Sequence, residues 1–337
     1  YVCVTLLVAA NTINLGADLG AMAAAGRLLF PLPYYAWLLG LTAVIAALQV
    51  WVEYPRYARI LRLLTFSLFA YVVVAFIIPQ DWGAILRHTF IPQIQYNRDF
   101  LFNLVAVLGT TISPYLFFWQ ASQEVEEEIA HGKVTPAERR GVTRRELRWM
   151  RADVLTGMIV SNVVMFFIIV TTASTLHPHG ILQVDSAAKA AEALKPVGGP
   201  FASALFAAGI IGTGLLAVPV LAGSAAYAVA DTFKIQQGLS LKLRQAPGFY
   251  ATIVLSILIG AGLNLIGINP LTALYDTAVV NGLIAPPLMV LIMLISNNRN
   301  IMADKVNGRL SNVLGWTATA AMTAASVALV ISFIRGG

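Results

Sequence analysis

The sequence predicts an all-α polytopic membrane protein with about nine transmembrane helices. Three observations carry that prediction. Hydrophobic residues make up 58% of the 337-residue chain and charged residues 11%, against about 25% charged in a soluble domain. The mean hydropathy is +0.76. Nine apolar stretches each approach the roughly 20 residues that carry a helix across the ~30 Å hydrocarbon layer. Helices are required because backbone groups in lipid must be satisfied within the protein, and the two-residue alternation of barrel strands is absent.

In chain order the stretches are 2–26, 34–52, 61–78, 100–121, 152–176, 199–229, 248–267, 271–296 and 313–334. The first carries an acid, Asp18, and the fourth is interrupted by Pro114. Gly209, Gly212 and Gly214 give the sixth a small-residue face suited to close helix packing. Pro286 and Pro287 predict a bend in the eighth. The longest loop, 122–151, contains PAERRGVTRRELRWMR, which reads either as a helix lying at the headgroup surface or as a basic loop that sets topology. VDSAAKAAEALK, within 177–198, reads as a short surface helix. No soluble domain or linker interrupts the pattern, so 1–337 reads as a single transmembrane domain. The chain opens at Tyr1 inside an apolar run with no charged region before it, and reads as the remainder of a longer protein.

Basic residues orient the spans. Arg56, Arg59 and Arg62, seven residues from Lys133 to Arg151, three from Lys234 to Arg244 and three from Arg299 to Arg309 fall on one side, sixteen of the 22 Lys and Arg. That side reads as cytoplasmic, with the start of the chain inside and its end outside. The net charge of +6 therefore reflects membrane topology, and nucleic-acid binding is not indicated. A single cysteine, Cys3, excludes a disulfide framework or a thiolate cage. His177 and His179 flank a proline and lack further ligands for a metal.

The fourth stretch is the informative one. Pro114 offers no amide hydrogen and opposes the carbonyl of Thr110, so the ladder from Thr110 to Ser113 is broken. Freed carbonyls beside hydroxyls are hard oxygen ligands suited to a cation, and discontinuous helices are where secondary transporters hold their substrates. Asn103, Thr110, Thr111, Ser113, Tyr115 and Gln120 are an expensive polar set for a span. A proline kink backed by hydroxyls, with no ligand, is the alternative. Glu124, Glu126, Glu127 and Glu128 follow at a helix end whose dipole disfavours acids. Glu124 and Glu127 fit a cation-concentrating mouth, or else a solvated end offsetting the basic loop. Asp18 reads as a relay or an outer partner of the cation, or as a carboxyl bonded to Asn14; Asp276 sits near the outer end of its span as a second mouth residue; Asn162 and Asn281 can complete a coordination shell or tie helices together.

GTTISP at 109–114, followed by Tyr115, resembles the sixth-helix signature Gly-Ala-Thr-Val-Met-Pro-His of the Nramp divalent-metal transporters. NLGADLGAM around Asp18 resembles that family's third helix, RADVLTGMIVSN at 151–162 its seventh, and GIIGTGLLAVPVLAG at 209–223 its eighth. The order of these matches covers helices three to eleven of the family. The resemblance implies a leucine-transporter-like fold of two inverted five-helix repeats, with metal held between unwound parts of helices one and six. By position it implies that Thr110 offers its carbonyl and that Ser113 stands for the family's metal-binding methionine. It also implies that the first-helix ligands lie upstream of Tyr1.

Four departures shape the expectation. Serine for methionine exchanges a soft ligand for a hard one and favours Mg²⁺ or Mn²⁺, with Fe²⁺ less suited. Tyr115 replaces a histidine linked in the family to proton movement. Ala21 stands where an acid follows Asp18, and 248–267 contains no arginine. The resemblance thus points to the Nramp-related magnesium transporters, with weak or absent proton coupling, Asp18, Tyr115 and Asn162 as relay or outer-shell groups, and a bacterial plasma-membrane location. No cofactor beyond the transported ion is expected. An amino-acid or polyamine permease of the same architecture is the alternative, and an intramembrane enzyme a weaker one, because no histidine lies in the spans.

Overall fold

A computed structural model describes residues 1–52, 66–91, 93–95, 97–135, 137–139, 141–180 and 184–334. The long helices are α1 (Val2–Leu29), α2 (Tyr34–Trp51), α5 (Arg98–Thr111), α6 (Pro114–Ala130), α7 (Arg144–Thr175), α10 (Ala202–Phe233), α11 (Pro247–Leu263), α12 (Pro270–Ser296) and α14 (Arg309–Ile334). Shorter ones are α3 (Phe69–Ile77), α4 (Trp82–Phe90), α8 (Ala187–Glu192), α9 (Lys195–Gly198) and α13 (Arg299–Met302). Among the described residues eight spans are long and apolar enough to cross a membrane, counting α5 and α6 together; Phe66–Ile77 with Trp82–Phe90, bent by 118°, makes a ninth. The predicted third span, 61–78, lies partly outside the described residues, as do Arg56, Arg59, Arg62 and Arg140.

α1 is the central helix. It packs on α2, α10, α11 and α12, and α10 is its principal partner. Leu15, Leu19 and Met22 from α1 meet Ile45 of α2, Leu221 and Tyr227 of α10, and Phe249 and Ile253 of α11 in one buried cluster. The predicted small face of α10 fits this packing, since a Cβ on Gly214 would overlap the Met22 side chain. Asn264 donates to the carbonyls of Gly16 and Gly260 at 2.9 and 3.2 Å and accepts from Tyr34 at 2.8 Å. Its amide thereby ties α1, α2 and α11. A second tie joins α1 to α12. Asn14 and Asn281 exchange hydrogen bonds at 3.0 and 3.3 Å. Asn281→Ala is expected to lower stability by about 1–2 kcal/mol by orphaning the Asn14 amide. A double-mutant cycle followed by thermal unfolding in detergent should return a coupling of about 0.6–1.7 kcal/mol; a value near zero would mean that the pair does not hold the helices.

α5 leans on α12 and α14, whereas α6 leans on α10. Gly109 permits a close approach of α5 to α12: a Cβ there would overlap the Ala278 carbonyl and the Gly282 backbone, while one on Gly282 would lie 2.6 Å from Val105. Two expectations are corrected. The segment read as lying at the headgroup surface enters α7 at Arg144 instead, because Thr143 and Glu146 form a reciprocal capping box that starts a helix running unbroken to Thr175. The 177–198 segment is not wholly at the surface, since Ala187 and Ala191 are buried against α3 and α10 neighbours such as Val74 and Phe206. Pro286 and Pro287 both lie inside the single helix α12.

Candidate functional site

α5 stops at Thr111 because the next turn cannot close. Pro114 lacks an amide hydrogen, so the Thr110 carbonyl has no helical donor. Ser113 adopts φ −86°, ψ 121° and leaves the helical ladder. α6 then restarts with Pro114 in its first position, where a fixed φ suits a helix start. The Ser113 hydroxyl donates toward both freed carbonyls, 3.1 Å to Gly109 O and 3.2 Å to Thr110 O. The hydroxyls of Thr110 and Thr111 both turn back to Val107 O at 2.8 and 2.5 Å. One proton thus serves two carbonyls. The Ser113 oxygen keeps its lone pairs, and Thr110 O keeps one of its two. Ser113 is buried, 5% exposed.

Asp18 lies across from this turn, partly buried on α1. Among the described residues no hydrogen bond or ion pair holds its carboxyl group. Asn14, one turn away, is bonded to Asn281 and to Ala10 O, not to Asp18. Tyr115 follows two residues after Ser113, with the Asp18 carboxyl within electrostatic reach of its phenol. Three of the expected residues, Thr110, Ser113 and Tyr115, thus sit at the break, with Asp18 of α1 in electrostatic reach of the last.

The others sit elsewhere. Asn281 is 5% exposed and its carbonyl oxygen already accepts from Asn14, so in this arrangement it ties helices and does not present a free ligand. Asn162 donates to Met158 O one turn back on its own helix α7, whose main partner is α3. Asn103 and Gln120 do not stack at the break either: Asn103 accepts from Tyr275 at 2.5 Å and Gln120 donates to Glu124 at 2.9 Å. Asp276 is exposed on α12 next to Tyr275. At the opposite end of the bundle, Glu124 and Glu127 line a cleft of about 670 Å³ between α6 and α7, together with Glu128, Lys133, Glu146 and Trp149. Lys133 bridges Glu128 and Glu146 at 3.3 and 3.6 Å, and these carboxylates, Glu128 foremost, hold its ammonium above the usual range. No group of three His, Cys, Asp or Glu among the described residues is placed to bind a metal, so the chemistry available at the break is one carboxylate with hydroxyl and carbonyl oxygens.

Asn11, which the sequence reading passed over, donates to Ser224 at 2.6 Å and to Leu221 O at 3.2 Å. The signal was present: Asn11, Asn14 and Asp18 recur at i, i+3 and i+7, a polar stripe down one face of an otherwise apolar helix.

Comparison with known proteins agrees with this geometry. The model of the Nramp family, natural resistance-associated macrophage protein-like, matches residues 1–332. The divalent metal cation transporter MntH of Caldanaerobacter subterraneus subsp. tengcongensis is 27% identical over 288 residues, 85% of this chain and 63% of that protein. MntH of Bacillus subtilis is 26% identical over 279 residues, 82% of this chain and 61% of its own length. The chain thus spans about six-tenths of these relatives. The crystal structure of the Eremococcus coleocola manganese transporter, bound to an aromatic bis-isothiourea compound, superposes with a TM-score of 0.71 at 13% identity, covering 98% of this chain and 72% of that one. With the family pattern running from residue 1 to 332 and the fold shared with a solved transporter, this chain is an integral membrane protein of the Nramp family, built on the leucine-transporter-like inverted-repeat bundle.

Proposed function

We propose that the protein carries divalent metal cations across the membrane by alternating access, that it favours the hard ions Mg²⁺ and Mn²⁺, and that its transport is weakly coupled or uncoupled to protons. The observation that carries this reading is the unpaired Asp18 carboxylate facing a helix break whose Ser113 and Thr110 oxygens retain lone pairs. A cation entering there exchanges water for oxygen ligands, and alternating access needs such a site at a discontinuous helix. Relatives named as divalent metal cation transporters support the substrate class. We place the protein in a bacterial plasma membrane with its basic side cytoplasmic. The packing of Tyr1 on Phe233 at one face and of Arg98 over the Phe333 ring at the other supports a common side for the ends grouped by the basic residues.

Flux of Mg²⁺ and Mn²⁺ into proteoliposomes holding the full-length protein, with and without a pH gradient, tests the carrier. Uptake should persist without the gradient, and strict dependence on it would overturn the uncoupled reading. Ser113→Met tests the ion preference. Isothermal titration should show affinity for Mn²⁺ rising relative to Mg²⁺ by about tenfold, or ~1.4 kcal/mol, because a thioether prefers the softer ion. Unchanged relative affinities would remove Ser113 from the coordination shell.

A further inference from the structure

The four glutamates that end α6 do not share a direction. Glu124, Glu127 and Glu128, at i, i+3 and i+4, line the cleft toward α7. Glu126 falls off that face and turns to α10. Its Oε1 accepts the Tyr227 hydroxyl and the Leu239 amide, the latter at 2.7 Å, and its Oε2 accepts the Ser240 amide at 3.1 Å. Gln123, one turn earlier, donates to the Tyr227 hydroxyl at 3.2 Å. Gly238, at φ +142°, supplies a conformation that side chains disfavour. That turn aims two successive amides at one carboxylate, and a Cβ there would come within 3.3 Å of Glu126 Oε1. Tyr227 is 1% exposed, so this network sits against the buried core.

Two turns nearer the break, Trp119 packs edge-on against Tyr227, with ring centroids 6.3 Å apart, and over Gly223, which leaves it room. α6 is thus fastened to α10 at two points along its length, Trp119 and Glu126. α5, on the other side of the break, is fastened to α12. The backbone at 112–113 joins two half-helices anchored on different neighbours. At 1.5 Å per residue, Glu126 lies about 20 Å along the helix axis from Ser113, and a helix transmits a displacement of one end to the other.

We propose that Glu126 is a positioning residue: it latches the second half of the broken span to Tyr227 and the 238–240 turn, and release of that latch shifts Ser113 and Tyr115 relative to Asp18. The proposal rests on the transport reading for its purpose, but the latch is measurable without transport. Ser122 borders the groove that Glu126 and Tyr227 line. In the full-length protein in proteoliposomes, with native cysteines replaced, Cys3→Ser among them, Ser122→Cys reports α6 docking through its rate of labelling by a membrane-impermeant maleimide.

Glu126→Gln keeps the shape but turns an NH₂ group toward an amide donor. It should raise the labelling rate about fivefold, the equivalent of ~1 kcal/mol. Tyr227→Phe removes only the phenolic hydroxyl and should raise the rate about twofold, and the double variant should not exceed Glu126→Gln, because both break one network. Mn²⁺ influx by Glu126→Gln should lose about fivefold in Vmax/KM, since displacing Ser113 and Tyr115 relative to Asp18 disturbs the groups that meet the cation. Labelling unchanged in both variants overturns the latch, whatever transport does. Should Glu126→Gln fail to assemble, Tyr227→Phe carries the same criterion. A parent that moves no divalent cation yet labels as expected would overturn the carrier reading and leave the latch standing.

Discussion

Asp18→Asn is expected to reduce divalent-cation transport by tenfold to a hundredfold, about 1.4–2.7 kcal/mol of lost cation stabilisation, while leaving the fold as stable as the parent or more so. Both halves follow from the same fact. The carboxylate has no hydrogen-bond or ion-pair partner among the described residues, so asparagine orphans none of them. An ionised acid within a span costs about 2.5–3.5 kcal/mol on insertion scales, a cost that asparagine never incurs, so the substitution adds no penalty to the fold. A structural residue would show the opposite pattern, with stability and transport falling together. The measurement is paired: metal flux in proteoliposomes and thermal unfolding in detergent on the same preparations. Unchanged flux at unchanged stability would detach Asp18 from the cation path, and a large loss of stability would mean that it has a structural partner.

Gly109→Val should be the most damaging single change to the fold, with a loss of about 3 kcal/mol or more, beyond the 1–3 kcal/mol usual for overpacking. The reason is the nature of the obstacle. A new Cβ meets the Ala278 carbonyl and the Gly282 backbone, neither of which can rotate aside as a side chain would. α5 would have to separate from α12 along the contact that Val105 and Gly282 share, and buried Leu101, Val105, Ala278 and Val279 would lose their packing. Gly40 is the control, because its Cβ would meet nothing within 4 Å; Gly40→Ala should leave the melting temperature essentially unchanged. Equal melting of Gly109→Val and the parent would show that α5 and α12 do not approach as closely as this geometry requires.

Much of this protein is written in its residue types. Nine apolar stretches, spaced by basic loops, are enough to demand helices, because hydrocarbon forbids unpaired backbone whatever the neighbours are. Pro114 breaks the fourth span wherever it sits, since the missing amide is covalent. The order of GTTISP, NLGADLGAM and the two further motifs led to the family that the whole-chain match establishes. Side-chain partnership was not legible in the same way. Asn281 read equally as a ligand or a helix tie and is bonded to Asn14; Asn162 read the same way and donates within its own helix; the glutamates read as one run and face two directions. Each of those outcomes depends on which helix lies across the way, and single-chain periodicity carries no such information. Composition and local stereochemistry therefore decided the spans and the break. Only the packing of distant segments decided that Asp18 would be left without a partner beside that break, because unsatisfied charge is a property of the surroundings and not of the residue.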